Sequence, residues 1–538
     1  MKKCISLIVL LFISYFASSQ TNHLSVKTSI EELKQNQTWY FLLGLNDGSS
    51  VFLWANSDIT KIFMKHFDKE AKSVLETQIW ELASPKKGQV EISEIYEINK
   101  TILFSMTLRT NEGVKFFKLI IDPTTGGKIN EEVLTSYEGI KHKFLDNENC
   151  FFNCTKNDSL GLYRLMNYTR VDEKISELKI YDYDYNHKLI SSFSKKIEKA
   201  FKTVSLLSSI QVGQESFYAL CYREKDIYQN LSQKDEYKNK EADDLHILIY
   251  KYAKSVLLEL PIILKKIDLY RSDFGGLYTK TRNNQVKLAI CNMYSLEEYE
   301  AANVKASYIT VVTFDKNTLK VENQYEITQN TIREAFIDTN NVYEKERKFL
   351  FNVPINFRTN NNNQDEFMFH SYKSIMRAGY RDEKTEDIGF FVFNDKGKVI
   401  KQNFIPFKTE RVFSLPFPYS SFKNGRTGNF YLTTAPKYFS NKFDFISKNN
   451  TFFVLYNDLP ENLNAKTPYD VKIANSDKMS GVVLTNNENG WNKSSILDPK
   501  ERTAFNFISS SFNEKTGIYS VVSRDESKKL HVSYFSIK

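Results

Sequence analysis

The stretch Tyr308–Ile327, YITVVTFDKNTLKVENQYEI, constrains this chain more than any other, because its plan recurs from one end to the other. Tyr308 to Phe314 is rich in β-branched and aromatic residues, Asp315-Lys316-Asn317-Thr318 supplies turn chemistry, and Val321 to Ile327 alternates apolar with polar side chains. That pattern is a β-hairpin. Far upstream, Phe67-Asp68-Lys69 is followed by Val74 six residues after its aspartate, just as Phe314-Asp315-Lys316 is followed by Val321.

Further copies surround Asp122, Asp184, Lys251, Asp395, Asp458 and Asp525, which with Asp68 and Asp315 makes eight hairpins. A separate hairpin with an Asn46-Asp47-Gly48 turn lies within TWYFLLGLNDGSSVFLWA. Between the hairpins stand further strand-like runs: TILFSMTL at 101–108, SFYALCY at 216–222, VKLAICNMY at 286–294, KFLFNVPINF at 348–357, NFYLTT at 429–434 and AFNFISSSF at 504–512. Four strands in each unit of about 65 residues, with no amphipathic helix in the pattern, is what a β-propeller blade needs. The expected fold is all-β, a β-propeller of seven or eight four-stranded blades. Eight hairpins point to eight, and seven stands if the terminal units combine to close one blade, since closure removes the exposed sheet edges.

The chain has 538 residues, 41% of them hydrophobic and 14% aromatic, with 41 Phe and 31 Tyr, which suits half-buried pleated surfaces. Met1–Gln20, MKKCISLIVLLFISYFASSQ, has a basic start, an apolar run from Ile5 to Phe16, and Ala17 and Ser19 placed for cleavage after Ser19. It reads as a secretory signal peptide over 1–19. The apolar run is short of the ~20 residues a bilayer span needs, and Cys4 precedes it, where a lipoprotein cysteine would follow. The domain reading is then a linker at 20–36 and a propeller at 37–538, with polar insertions at 223–244 and 358–387. Export leaves Cys150, Cys154, Cys221 and Cys291, for which three pairings exist. Cys150 and Cys154 fall on one face of one strand, an awkward placement for a bond between them, and buried thiols are the simpler reading.

The formal net charge is +8, but the lysines and acids are interspersed along the chain, which argues against nucleic-acid binding. Asp182-Tyr183-Asp184-Tyr185-Asn186 opens like a calcium loop, yet His187 and Phe193 stand where that loop needs Gly and a bidentate Glu, so a polar turn is the better account. The seven histidines show no metal spacing, and G-x-S-x-G, G-x-G-x-x-G and the Walker loop are missing. Thr485–Trp491 departs from the aspartate box of sialidase-type propellers, since Asn487 replaces its Asp and Gly490 abuts Trp491. Trp39, Trp54 and Trp80 crowd the first unit, where core packing explains them.

Residues 452–538, with Tyr456-Asn457-Asp458, Pro460, Asn462, a hairpin and a closing VSYFSIK strand, resemble the C-terminal part of uncharacterised exported bacterial proteins with β-propeller-like repeats. The resemblance implies a propeller and brings no catalytic residues with it.

The resulting expectation is an exported propeller that acts as a binding or scaffold protein of the bacterial cell envelope. It would be a monomer in the periplasm or at the cell surface, with an envelope protein or glycan as partner and no cofactor. No catalytic, ligand-binding or metal-ligating residue is assignable from sequence. Two rival readings remain: a carbohydrate-active hydrolase or lyase with paired carboxylates at the central mouth, and a structural subunit of an envelope complex.

Overall fold

The computed structural model describes residues 24–33, 39–56, 59–82, 88–110, 112–140, 150–172, 174–198, 203–223, 245–262, 274–280, 284–291, 307–328, 331–332, 334–335, 351–359, 364–377, 380–413, 443–448, 451–465, 470–472, 479–487, 490–497 and 502–537. The signal-peptide reading at 1–19, the run 429–434 and nearly all of the insertion read at 223–244 lie outside these residues.

The strands form eight four-stranded antiparallel sheets, the blades of an eight-bladed propeller. Strand β1 (Val26–Thr28) belongs to the last blade. Blade 1 is β2 (Trp39–Gly44), β3 (Ser50–Ala55), β4 (Lys61–Phe67) and β5 (Ser73–Glu81); blade 2 is β6 (Gly88–Ile98), β7 (Thr101–Thr110), β8 (Gly113–Ile121) and β9 (Lys128–Glu138). Blade 3 is β10 (Cys150–Asn157), β11 (Leu162–Arg170), β12 (Ser176–Asp184) and β13 (Leu189–Ile197); blade 4 is β14 (Thr203–Val212), β15 (Glu215–Arg223), β16 (Leu245–Ala253) and β17 (Val256–Ile262). Blade 5 is β18 (Phe274–Lys280), β19 (Gln285–Cys291), β20 (Ser307–Asp315) and β21 (Val321–Thr328); blade 6 is β22 (Phe351–Thr359), β23 (Asp365–Arg377), β24 (Tyr380–Phe393) and β25 (Val399–Phe413). Blade 7 is β26 (Asp444–Lys448), β27 (Thr451–Asp458), β28 (Ser480–Asn487) and β29 (Gly490–Ser495), and blade 8 is β30 (Ala504–Asn513), β31 (Ile518–Arg524) and β32 (Leu530–Ser536) with β1 as its fourth strand.

The first strands of successive blades lie side by side from blade 1 to blade 6 and from blade 7 to blade 8, an apolar cluster joins blades 6 and 7, and β2 meets β30 to close the ring. Closure is completed from both chain ends. Val26 pairs with Phe535 and Thr28 with Ser533, so part of the segment 20–36, read as a linker, is a blade strand. The terminal units do combine, and they do so within an eighth blade.

The core sits between blades. Eight apolar clusters each join two neighbouring blades. On β3, Val51 and Leu53 pack toward blade 2 while Phe52 and Trp54 pack toward blade 8. This is the two-residue period of a strand buried on both faces, and it explains why second strands read as nearly unbroken apolar runs.

Within each blade, the connections between strands one and two and between strands three and four emerge on one side, here the hairpin face. The remaining connections emerge on the other, the loop face. No hairpin-face connection is longer than six residues, whereas 224–244, 292–306, 329–350, 414–443 and 459–479 all join strands on the loop face.

The turn after the third strand confirms the role expected for its aspartate. Asp68 Oδ1 accepts the backbone N–H of Glu70 and Lys72, Asp184 Oδ1 those of Asn186 and Lys188, and Asp315 Oδ1 those of Asn317 and Thr318. A left-handed residue completes each turn: Ala71, His187 and Leu319. In blade 6 the acceptor is Asn394, next to Asp395, and the left-handed position is Gly397, where a Cβ would stand 2.6 Å from the carbonyl oxygen of Glu326. Two anchors of the repeat are out of phase. Asp458 ends the second strand of blade 7 and Asp525 follows that of blade 8, both on the loop face; blade 8 takes its fourth strand from the N-terminal side and has no third-to-fourth-strand turn.

The stretch 358–387, read as an insertion, is mostly strand. β23 and β24 pair without interruption by any loop out to Arg377 and Tyr380, so the middle hairpin of blade 6 is simply long.

Every blade junction also carries a polar or cationic latch near the hairpin face. Asn46 donates its backbone N–H to Glu97 at 2.6 Å between blades 1 and 2, and Thr101 Oγ1 meets His187 Nε2 at 2.8 Å between blades 2 and 3. Arg164 donates to Ser216 Oγ at 2.7 Å, Lys251 to the carbonyl of Asn317 at 3.3 Å, and Lys287 to Asp365 at 2.5 Å. Arg358 lies over the Phe452 ring, Lys448 donates to the carbonyl of Ile537 at 2.6 Å, and Asn513 donates to the carbonyl of Leu45 at 2.8 Å, completing the circle.

Candidate functional site: a hydroxyl-lined seam between blades 3 and 4

The innermost strands alternate in kind. β6, β14, β22 and β30, in the even blades, each carry a bulge against the second strand, while β2, β10, β18 and β26 pair in unbroken register. Bulges bend a strand and re-aim its side chains. At three of them a buried polar residue follows: Glu94, Ser208 and Ser510.

Where unbulged β10 meets bulged β14, polar groups collect. Cys150, Phe152 and Cys154 pack toward blade 2, so Phe151, Asn153 and Thr155 face blade 4. Cys150 and Cys154 sit as buried thiols, in line with the expectation; the side chains of Cys221 and Cys291 lie outside the described residues. The same junction holds Tyr168 of β11, Tyr218 of β15, and Tyr250 and Tyr252 of β16, all in one core cluster. Asn153 Oδ1, Thr155 Oγ1 and the hydroxyls of Tyr250 and Tyr252 are buried without a hydrogen-bond partner among the described residues. Leaving such a group unpaired costs roughly 1–3 kcal/mol each. Four such groups fall at the junction between blades 3 and 4.

Arg164 closes the hairpin-face end of the seam. Its Nε donates to Asp182 Oδ1, its Nη1 to Ser216 Oγ, and its guanidinium lies 4.5 Å from the centre of the Tyr252 ring. Asp182 is thereby occupied, Asp184 caps its turn, and the calcium-like spacing dissolves into two structural roles. Among the described residues no group of three or more His, Cys, Asp or Glu is placed to hold a metal ion.

The electrostatics of the seam are those of neutral donors and acceptors. Burial pushes the Tyr168, Tyr218 and Tyr250 hydroxyls far above the ordinary tyrosine range, so all three keep their protons. On the neighbouring junction burial, seconded by the Lys118 ammonium, drives His187 down to about 4, leaving it uncharged at neutral pH. Three inner-strand carboxylates are engaged: Glu91 pairs with Arg109, Glu97 accepts the Asn46 N–H, and Asp444 accepts Ser510 Oγ at 3.0 Å and the Tyr519 hydroxyl. Burial raises Glu97, with the Asn46 N–H opposing.

The Tyr456–Asn462 motif also resolves into structure. Asn457 Nδ2 donates to the Phe505 carbonyl at 2.7 Å and its Oδ1 accepts the Phe505 N–H at 2.8 Å, joining blades 7 and 8. Asp458, fully buried, accepts Asn462 Nδ2 at 2.7 Å and Lys493 Nζ at 2.8 Å, and its carboxyl is raised by burial against the pull of Lys493. The seam residues Asn153, Thr155, Arg164, Tyr250 and Tyr252 escaped the sequence reading. Only the Tyr-x-Tyr of β16 hinted at paired rings on one strand face.

No family model matches the chain, and no curated protein matches it in sequence. Solved structures that it is similar to include the WD40 domain of SCAP from fission yeast, at 7% identity and a TM-score of 0.36, with 95% of this chain and 98% of that one covered. A Synechocystis apocarotenoid oxygenase mutant is similar at 10% identity and a TM-score of 0.32, over 96% of this chain and 92% of the other. An endo-arabinase from Bacteroides thetaiotaomicron is similar at 11% identity and a TM-score of 0.25, over 56% of this chain and 96% of the other. At these values none of their chemistry transfers.

Proposed function

We propose that the chain is an exported binding protein of the bacterial cell envelope, a rigid propeller that holds a neutral, hydroxyl-bearing partner such as an envelope glycan. The observation that carries this reading is the junction between blades 3 and 4, where buried amide and hydroxyl groups lack hydrogen-bond partners among the described residues and the flanking ions are already paired. Such groups recognise hydroxyls by hydrogen bonding and offer neither a nucleophile nor a base poised near neutrality. Aromatic rings beside them, as with Phe151 stacked on Tyr168 at 5.0 Å, suit the apolar faces of sugars.

The test is titration of the purified secreted protein with neutral envelope polysaccharides, followed in the same samples for newly released reducing ends. The reading expects saturable binding, weakened at least about tenfold in Asn153→Ala/Thr155→Ala, each lost hydrogen bond supplying about 1 kcal/mol. Release of reducing ends by the wild-type protein would instead establish the hydrolase reading. Mass measurement of the secreted chain checks export: the expected N-terminus is Gln20.

A further inference from the structure

The hairpin face carries a recurring pair of residues that the turn geometry does not use. In each of blades 1 to 6 the fourth strand begins with an exposed aliphatic side chain: Val74, Ile129, Ile190, Val256, Val321 and Ile400, between 38% (Val321) and 60% (Ile190) exposed. Four of the six, Val74, Ile129, Ile190 and Ile400, occupy the extra position of a β-bulge, which turns the side chain outward from the edge. Farther along β5 and β13 the outward positions are polar, at Glu76, Gln78, Ser192 and Ser194, whereas β9 and β17 expose a second aliphatic residue each, Val133 and Leu258. Of the eleven exposed large apolar residues among those described, only Ile30 and Val133 lie away from this face. An exposed lysine stands one or two positions before every one of the six, Lys72 and Lys128 in the first two blades. In blades 1, 2, 3 and 5 the turn aspartate accepts backbone N–H groups of its own turn, and in blade 6 Asn394 does so while Asp395 stays exposed.

We propose that this face docks on an anionic lipid bilayer, the six aliphatic side chains entering the headgroup boundary and the six lysines meeting lipid phosphates. Two observations choose this occupant. The six pairs are set on one side of a closed ring whose hairpin-face turns are all short, so that a flat, extended surface reaches all of them together, while a globular partner would cover two or three neighbouring blades. The partner must also be negative where it meets lysine and apolar just beneath, which is the layering of an anionic bilayer. Each contact is weak alone, and six held rigidly act as one multivalent site. Lys128 already pairs with Glu131, but both are on the surface, where such pairs exchange readily. The loop face then points away from the membrane, toward whatever the propeller holds there; the docking surface does not depend on the identity of that ligand.

The experiment is co-sedimentation of the full secreted chain with vesicles of phosphatidylcholine containing about one-third phosphatidylglycerol, alongside vesicles of phosphatidylcholine alone. Wild-type protein is expected to sediment with the anionic vesicles, to stay in solution with the zwitterionic ones, and to be released by high salt. The variant Val74→Ser/Ile190→Ser/Ile400→Ser is expected to partition at about a tenth of the wild-type level, and Lys72→Glu/Lys188→Glu/Lys398→Glu to lose binding. All six positions are on the surface, and an unchanged thermal melt shows that each variant is folded. The proposal is overturned if folded wild-type protein ignores anionic vesicles, or if either triple variant sediments as well as wild type. It is equally overturned if wild type fails to bind vesicles but forms a dimer that the apolar triple variant dissociates.

Discussion

Asp184 and His187 share one turn and have opposite reasons for being there. Asp184 works locally, holding two backbone N–H groups, and its replacement by Ala should cost about 1 kcal/mol in chemical unfolding while leaving ligand binding unchanged. His187 works across a junction, its Nε2 on Thr101 and its Nδ1 on the Tyr163 hydroxyl. Its folded-state value of about 4 lies below the ordinary 6.5, so between those limits the unfolded chain binds a proton that the folded chain refuses. Stability from this group is complete above about 6.5 and drains away as the pH falls toward about 4. The urea midpoint should therefore drop between pH 7 and pH 5, and drop less in His187→Gln. Asn457→Ala strands both backbone groups of Phe505 in the core and should cost about 3 kcal/mol. The turn aspartates were legible in the sequence because their partners lie within four residues. Asn153 and Tyr250 were not, since what brings them to one junction is which blade each strand face meets.

At the level of elements, the third-to-fourth-strand hairpins were readable wherever both strands are consecutive in the chain. Tyr308–Ile327 is β20 and β21, the outer pair of blade 5, as its alternation implied. Blades 7 and 8 differ: Asp458 ends a second strand and is buried against Asn462 and Lys493, while Asp525 follows a second strand and accepts the Lys529 N–H in a short turn on the loop face. The hairpin pattern also passes over β1, because three residues carry too little periodicity to announce a strand whose partner is more than five hundred residues away. That short strand nonetheless closes the ring: Thr28 Oγ1 meets Ser533 Oγ at 2.9 Å and Ser29 N–H bonds the Val532 carbonyl at 2.8 Å. Deleting residues 20–33 should lower the thermal midpoint by several degrees, or more, and expose the edge of β32 to self-association. An unchanged midpoint and a monomeric sedimentation profile would show that the ring does not need its closing strand.

Over the whole molecule, stability is circular: eight apolar clusters and eight latches, one of each at every junction. Lys287 and Asp365, both buried and joined also by the Tyr325 hydroxyl, are the most enclosed of the ionic latches. Removing one charge, as in Asp365→Asn or Lys287→Met, should cost about 3–5 kcal/mol, whereas the apolar pair Lys287→Met/Asp365→Leu should recover most of that loss. The hairpin face carries only short turns, while the five longest connections join strands on the loop face. The most direct test of that account is to titrate the secreted protein with neutral envelope polysaccharides while assaying the same samples for released reducing ends. Saturable binding that falls at least about tenfold in Asn153→Ala/Thr155→Ala, without product, is the predicted result. Polysaccharide cleavage by the wild-type protein, or binding that ignores the seam residues, would contradict it.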